Sequence, residues 1–139
     1  MSGFDVDEFL ARPLTARVAT EGPTVRPTWY LWEDGAFWIL SGPWSRLPDR
    51  IRARPRIALT VDVCELDTGV VRQVLASGDA GLRPFDVPRG RRKLARYLGP
   101  DEERWAPRFR AYLRGNPDTL WGHLRPSRLV ATDLSYEVP

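Results

Sequence analysis

The side chains best placed to do chemistry are a hydroxyl and a guanidinium that stand side by side at Ser45-Arg46. They follow a break at Gly42-Pro43, which ends an apolar segment predicted to be a strand, and they begin a short amphipathic segment predicted to be a helix. The first turn of a helix presents unpaired N–H groups and the positive end of the helix dipole, and arginine adds a two-pronged donor. The spacing therefore predicts an anion site suited to a phosphate, with an ordinary solvated helix start as the alternative.

The segment from Phe37 to Ile57 resembles, without a gap, the pyridoxamine 5'-phosphate oxidase-like family of flavin-binding split barrels. In that family an aromatic-Tyr-Thr strand end is followed by Ser-Arg-Lys, a short helix and an Asn-Pro-Arg-Val strand start. Further matches at Arg26 and Gln73 extend the resemblance over most of the chain. One position departs from the pattern, because Leu47 stands where the family has lysine.

The resemblance implies a set of cofactor contacts along the chain. Arg26 opens a hexapeptide that lines the flavin in the family, and Pro27 leaves backbone groups free for the edge of a planar heterocycle. Gln73 supplies an amide donor and acceptor, and Arg50, one helical turn after Arg46, offsets part of the missing lysine charge or is simply solvated. The expected cofactor-binding residues are Arg26, Pro27, Thr28, Trp29, Tyr30, Leu31, Leu40, Ser41, Ser45, Arg46, Arg50, Gln73 and Trp121. Trp121 keeps two interpretations, a cofactor contact across a dimer or packing within the barrel.

The fold implied by the resemblance is α+β, mainly β with short helices: a six-stranded antiparallel split β-barrel of the FMN-binding type. Residues 1–139 would form one flavin-binding domain, and two copies would form a homodimer with cofactor sites at the interface. The implied activity is hydride exchange between FMN and a small organic substrate, with the cofactor carrying the chemistry.

Two alternatives to that activity stay open. The first is an F420-dependent reductase of the same fold, and the second is a non-enzymatic flavin- or tetrapyrrole-binding protein. Because no catalytic triad, carboxylate pair or metal-ligand pattern is visible, no catalytic residue and no metal ligand is assigned. Oxidation of vitamin B6 phosphates is not expected, since the family's Arg-Leu-His-Asp-Arg motif is not reproduced at residues 128–133.

Composition argues against several other classes. Hydrophobic residues make up 42% and charged residues 28% of the chain, as in a folded globular domain. No segment has the length and hydropathy of a membrane span, and the N-terminal start lacks a signal-peptide pattern, so we expect a cytoplasmic protein. Single residues, Cys64 and His123, cannot build a disulfide or a zinc site, and we expect the thiol to be packed. The net charge of +3 is spread among alternating acids and arginines, so nucleic-acid binding is not expected.

Strands joined by hairpins must position these residues. The patterns predict strands at residues 14–20, 24–32, 36–41, 56–64 and 70–82, with one or two more between 119 and 136. They predict helices at 5–10, 89–98 and 101–113, and the stripe Trp105, Phe109, Tyr112 and Leu113 predicts that the last one packs on the core. The lack of strict βαβ alternation favours an antiparallel barrel over a parallel sheet.

Overall fold

A strand of fifteen residues, β6 (Val70–Pro84), lies at the centre of the sheet and pairs with three neighbours. In the computed structural model, which describes residues 4–139, its first part pairs with β5 (Arg56–Glu65) and β8 (Arg128–Asp133). Its second part pairs with β7 (Leu120–Leu124), and all three pairings are antiparallel. One long strand therefore bridges both halves of the sheet. Residues 1–3, part of the start examined for a signal peptide, lie outside the described range.

Four shorter strands complete the sheet: β1 (Ala16–Thr20), β2 (Thr24–Thr28), β3 (Leu31–Glu33) and β4 (Ala36–Ser41). The hydrogen-bonded order is β2-β1-β5-β6-β7-β4-β3, with β8 also on β6. The predicted α+β class, an antiparallel sheet with short helices, is confirmed. The prediction of a closed six-stranded barrel is wrong, because the sheet has eight strands and its path is open between β2 and β3.

The opening arises where one continuous strand was predicted over residues 24–32. The backbone N–H of Tyr30 donates to the hydroxyl of Tyr97 at 3.1 Å, and the guanidinium of Arg96 donates to the carbonyl oxygen of Tyr30. Both partners lie on α3 (Val87–Leu98). Because α3 satisfies these backbone groups, the chain leaves the ladder between β2 and β3. Pro27 lies on β2, the edge strand, where its missing N–H is tolerated.

Three further helices flank the sheet: α1 (Val6–Leu10), α2 (Leu47–Ala53) and α4 (Pro107–Arg110). The single helix predicted at 101–113 is instead α4 between two 3₁₀ turns, Glu102–Arg104 and Ala111–Arg114. Pro107 occupies the first position of α4, because proline starts a helix but cannot continue one. Of the predicted apolar stripe, Trp105 is buried and the other three side chains are half-buried.

None of the described helices is long and apolar enough to cross a membrane.

Period-two alternation sorts the strands into an inner and an outer face. On β5, Ile57, Leu59 and Val61 are buried in the main core, whereas Asp62 and Cys64 point outward. The expectation of a packed thiol is therefore wrong: Cys64 is free and exposed. The physical reason is register, since an even-numbered residue on this strand faces away from the core.

Candidate functional site

A cleft of about 140 Å³ opens between β2, the end of β4 and the start of α2. We call it the arginine cleft, because two arginines from different segments line it. Its lining residues are Val18, Thr20, Thr24, Arg26, Pro27, Thr28, Ile39, Leu40, Trp44, Ser45, Leu47 and Arg50. Six of the predicted site residues are among them: Arg26, Pro27, Thr28, Leu40, Ser45 and Arg50. Folding thus brings together the hexapeptide and the Ser-Arg segment, which are separate in the sequence.

The two arginines of the cleft have no protein partner in the described chain. Arg26 is exposed on β2 and Arg50 is half-buried on α2. Neither guanidinium makes a hydrogen bond or an ion pair within residues 4–139. A guanidinium nitrogen of Arg50 lies next to the β1–β2 turn, 3.7 Å from the position that a Cβ on Gly22 would occupy. Two uncompensated positive charges on one cleft favour an anion there.

Local hydrogen bonds hold the mouth of the arginine cleft. The backbone N–H of Ser45 donates to the carbonyl of Gly42 at 3.0 Å, and the Ser45 Oγ accepts from the N–H of Leu47 at 3.1 Å. The Leu47 side chain packs toward β7, where a Cβ on Gly122 would lie 3.2 Å from its Cδ2. Leu47 therefore contributes an apolar wall at the position where the family resemblance implied a cation.

Arg46 faces a different space from Ser45. It lines a second cleft, of about 280 Å³, together with Glu21, Asp49, Ala53, Arg54 and the shared Arg50. Arg46 is the residue that precedes the first turn of α2, and its side chain is exposed. The fold therefore separates the two side chains that the sequence analysis treated as one anion site. Arg50, which was also predicted as a site residue, lines both clefts.

Ser41 is buried beside the cleft with an unsatisfied hydroxyl. Its side chain is fully buried, and its Oγ has no hydrogen-bond partner in the part of the chain that the structure describes. Ser41 follows Ile39 by two residues on β4, so both lie on the same face of the strand. Since Ile39 lines the cleft, the orphaned hydroxyl lies one strand step from it. A buried hydroxyl without a partner destabilises the fold unless something else pairs with it.

The second half of the predicted hexapeptide turns away from the cleft. Trp29 stacks on Tyr97 with ring centroids 4.3 Å apart and 2° between the planes. Tyr30 is fully buried and donates its hydroxyl proton to the carbonyl of Leu10 at 3.0 Å, and burial raises the pKa of the Tyr30 phenol. Leu31 packs in a smaller apolar cluster. Trp29 and Tyr30 thus anchor helices on the sheet, and none of the three side chains lines the arginine cleft.

Gln73 and Trp121 also lie outside the arginine cleft. Gln73 is on β6, opposite Asp62 of β5 and Thr132 of β8. Trp121 is fully buried, donates its indole N–H to Asp86 at 3.1 Å and stacks on Phe85. Its position matches the packing interpretation, since a fully buried indole presents no surface to a cofactor.

Trp121 belongs to a second polar and aromatic group, which we call the α3 cluster. Its members are Glu33, Trp38, Asp86, Arg89, Arg92, Trp121 and His123. The carboxylate of Glu33 accepts from Arg92 Nε at 2.8 Å and from Arg89 Nε at 3.1 Å, and these bonds, Arg92 first, hold its pKa below the usual value. Burial lowers the pKa of His123, and neighbouring arginines lower it further.

Asp86 joins α3 to the sheet within this cluster. Although burial works to raise its pKa, the backbone N–H of Arg89, the indole of Trp121 and the Arg89 charge together bring the pKa of Asp86 below its usual value. The Arg89 guanidinium also lies 3.7 Å from the ring centroid of Trp38. The charged groups of the cluster are thus matched to one another, which is the arrangement of a structural junction.

Trp44 is a residue of the cleft that was not predicted from the sequence. Its indole is 54% exposed and lines the arginine cleft. The available signal was Gly42, two residues earlier, because a Cβ at that position would lie 2.3 Å from the Trp44 ring. Because only glycine allows the backbone to approach the ring this closely, Gly42 indicates that the ring packs in a fixed position.

The architecture is that of an α+β protein with an open antiparallel sheet, short helices and a cleft beside its edge strand. No family model and no curated protein matches the sequence. Solved structures do match it. A conserved hypothetical protein from Mycobacterium tuberculosis superposes with a TM-score of 0.75 at 22% identity, over 96% of this chain and 85% of that one.

Two further neighbours name the fold. An F420 reductase matches with a TM-score of 0.62 at 22% identity, over 94% of this chain and 98% of that one. A Listeria innocua protein named for pyridoxamine 5'-phosphate oxidase matches with a TM-score of 0.63 at 13% identity, over 93% and 94% of the two chains. The chain therefore has the pyridoxamine 5'-phosphate oxidase-like fold, which confirms the resemblance. Identities this low establish the fold alone.

Proposed function

We propose that the protein is an oxidoreductase that binds a flavin-type cofactor, with FMN as the first candidate. The observation that carries this proposal is the pair of unpartnered arginines, Arg26 and Arg50, lining one cleft with Ser45. FMN ends in a phosphate monoester, a dianion near neutral pH. Two guanidiniums and a hydroxyl match such a group in both charge and hydrogen-bonding capacity.

The residues of the cleft divide into two roles in this proposal. Arg26 and Arg50 hold the phosphate, and the Ser45 hydroxyl, which accepts locally from Leu47, keeps its own proton free to donate. Ile39 and Leu40 give the apolar surface on which a ring can rest. When bound, the cofactor supplies the hydride acceptor and donor, and the chain supplies binding, orientation and exclusion of water. The unsatisfied Ser41 hydroxyl fits a site that gains a polar partner on binding.

A homodimer is part of the proposal. The cleft of about 140 Å³ is smaller than the roughly 300–1,000 Å³ typical of pockets that enclose a ligand, so a second surface is needed to cover the cofactor. Gln73 lies on the outward face of β6 with Leu75 and, across the β6–β8 pair, Val130, which are 42% and 39% exposed. A second copy docked on this face would cover apolar side chains and bring Gln73 to its neighbour's cleft. Light scattering tests it: we expect a particle of twice the 15.9 kDa chain mass.

F420 in place of FMN is the second candidate. An F420 reductase is among the structural neighbours, and Leu47 removes the family's additional cation from the cleft. F420 continues beyond its phosphate as a phosphodiester with one charge, so it requires less positive charge than the FMN monoester. The substrate in either case is a small organic molecule that meets the exposed face of the ring.

Titration distinguishes the two cofactors. FMN and F420 are added separately to the cofactor-free protein while cofactor and tryptophan fluorescence are followed. We expect saturable binding of at least one, weakened by Arg50→Ala and unaffected by the control Arg52→Ala, whose guanidinium is paired with Asp49 outside the cleft. Absence of saturable binding for both cofactors in the wild-type protein would refute the proposal.

A further inference from the structure

Trp44 is an exposed aromatic side chain at the mouth of the arginine cleft. Its indole is 54% exposed, although tryptophan is usually mostly buried. The other large side chains of the cleft wall, Ile39, Leu40 and Leu47, are buried or half-buried. Trp44 is therefore the most exposed of the large apolar side chains that line the cleft.

The ring is held in place on two sides. The α-carbon of Gly42 faces it so closely that a Cβ there would lie 2.3, 2.6 and 2.9 Å from three of its ring carbons. Tyr112, in the second 3₁₀ turn, contacts it with ring centroids 5.7 Å apart and 56° between the planes. The hydrogen bond from the Ser45 N–H to the Gly42 carbonyl closes the turn that carries the indole. A fixed flat surface loses little entropy when a second ring stacks on it.

We propose that Trp44 is a ring-selecting residue, which stacks on the flat aromatic part of the molecule whose anionic part is held by Arg26 and Arg50. This inference rests on the proposed function and deepens it, because it assigns the cleft a ligand with a planar ring next to an anionic group. The ring has two sources, the cofactor itself or a flat aromatic substrate that meets the loaded cofactor. Both present the same π-face to the indole, and the two arms of the experiment separate them.

The first arm measures binding of FMN, riboflavin and inorganic phosphate to the wild-type protein, Trp44→Ala and Trp44→Phe. If the cofactor ring stacks on Trp44, Trp44→Ala weakens FMN and riboflavin by roughly tenfold and leaves phosphate affinity unchanged. Trp44→Phe retains most of the affinity because it keeps a flat ring. F420 replaces FMN if F420 is the cofactor that binds.

The second arm uses the cofactor-loaded protein and two probes, 2-naphthoate and its fully saturated counterpart. If a substrate ring stacks on Trp44, Trp44→Ala leaves cofactor affinity unchanged but removes the preference for 2-naphthoate over the saturated probe. Gly42→Ala displaces the ring and should reproduce the effect seen with Trp44→Ala in whichever arm responds. Gly81→Ala is the matched control, because no atom lies within 4 Å of a Cβ at that position.

Three results of this experiment either support or overturn the inference. A response in either arm, with unchanged thermal unfolding, supports the inference and names the source of the ring. Wild-type binding of FMN or F420 that Trp44→Ala changes in neither arm overturns this inference while the proposed function stands. A wild-type protein that binds phosphate but no ring compound overturns both.

Discussion

The arginine cleft and the α3 cluster are built from the same residue types, yet they differ in how those residues are paired. In the α3 cluster, Arg89 and Arg92 bind the carboxylate of Glu33, and Trp121 donates to Asp86. In the arginine cleft, Arg26 and Arg50 have no acidic partner among residues 4–139, and Trp44 is half exposed. One region is electrostatically complete and the other is not.

This difference indicates that the α3 cluster contributes to the stability of the fold, whereas the side chains of the arginine cleft are free to contact a bound molecule. Where charges and rings satisfy one another, removing one leaves a partly buried group without its partner and destabilises the fold. Where they are free, removing one changes what the protein can bind and has little effect on stability. Substitutions at chemically equivalent residues in the two regions should therefore give opposite results.

The largest expected effect is that of Trp121→Ala. The indole is fully buried, so its loss leaves a cavity and deprives Asp86 of a donor, and we expect the free energy of unfolding to fall by about 3–5 kcal/mol. Urea unfolding followed by circular dichroism measures it. The matched control Trp44→Ala should change stability by less than about 1 kcal/mol. Equal losses for the two variants would remove the distinction between the regions.

Among the substitutions that affect stability, Glu33→Ala should have the next largest effect. It removes one of the two carboxylates that accept hydrogen bonds from Arg89, whose side chain is only 21% exposed, and the carboxylate partner of Arg92, so we expect a loss of about 1–3 kcal/mol. Asp49→Ala breaks an exposed pair with Arg52 and should cost about 0.5 kcal/mol or less. Equal losses of unfolding free energy for Asp49→Ala and Glu33→Ala would show that the ion pairs of the α3 cluster stabilise the fold no more than an exposed pair does.

The Glu33 contribution should also depend on pH in a defined direction. Its pKa in the folded protein lies below the usual value of 4.5, so folding favours the ionised form. The stabilisation is therefore complete above pH 4.5 and is lost as the pH falls through the lower folded-state pKa. We expect the stability difference between wild type and Glu33→Ala to shrink under acidic conditions, and a difference that grows on acidification contradicts this assignment.

In the arginine cleft, Arg50→Ala should weaken FMN binding by about 1.5–3 kcal/mol, the range for hydrogen bonds to charged groups, without loss of stability. Arg46→Ala should have a smaller effect, because Arg46 lines only the neighbouring cleft. Isothermal titration at one salt concentration measures both. A larger effect for Arg46→Ala would indicate that the phosphate binds beside Arg46, at the site predicted from the sequence.

Leu47→Lys should change binding less than Arg50→Ala does, and it restores the family's cation to the cleft wall. A further positive charge benefits a dianionic monoester more than a phosphodiester, so FMN should gain over F420 by on the order of 1 kcal/mol. The measurement is the ratio of the two dissociation constants in wild type and variant. An unchanged ratio means that the new ammonium does not reach the phosphate, which would fit the packing of Leu47 against β7.

Much of the local structure follows from the sequence alone. Alternating burial on β5 and the hairpin at Asp34-Gly35, where both residues have positive φ, depend on neighbours only a few residues away. The resemblance around Ser45 likewise led to the correct fold and to six residues of the arginine cleft. Such features are encoded by short spacings, which a single sequence displays directly.

Which side chains contact one another was decided only in the tertiary structure. Tyr30 meets Tyr97 across 67 positions of sequence, and this contact ends β2 and leaves the sheet open. Arg89 meets Glu33 across 56 positions, whereas Arg50 meets no acid among the described residues. A sequence shows that an arginine is present but not which charges the fold brings within a few ångströms of it. Because Coulomb energy and hydrogen bonding depend on that distance, the division between paired and unpaired arginines had to come from the fold.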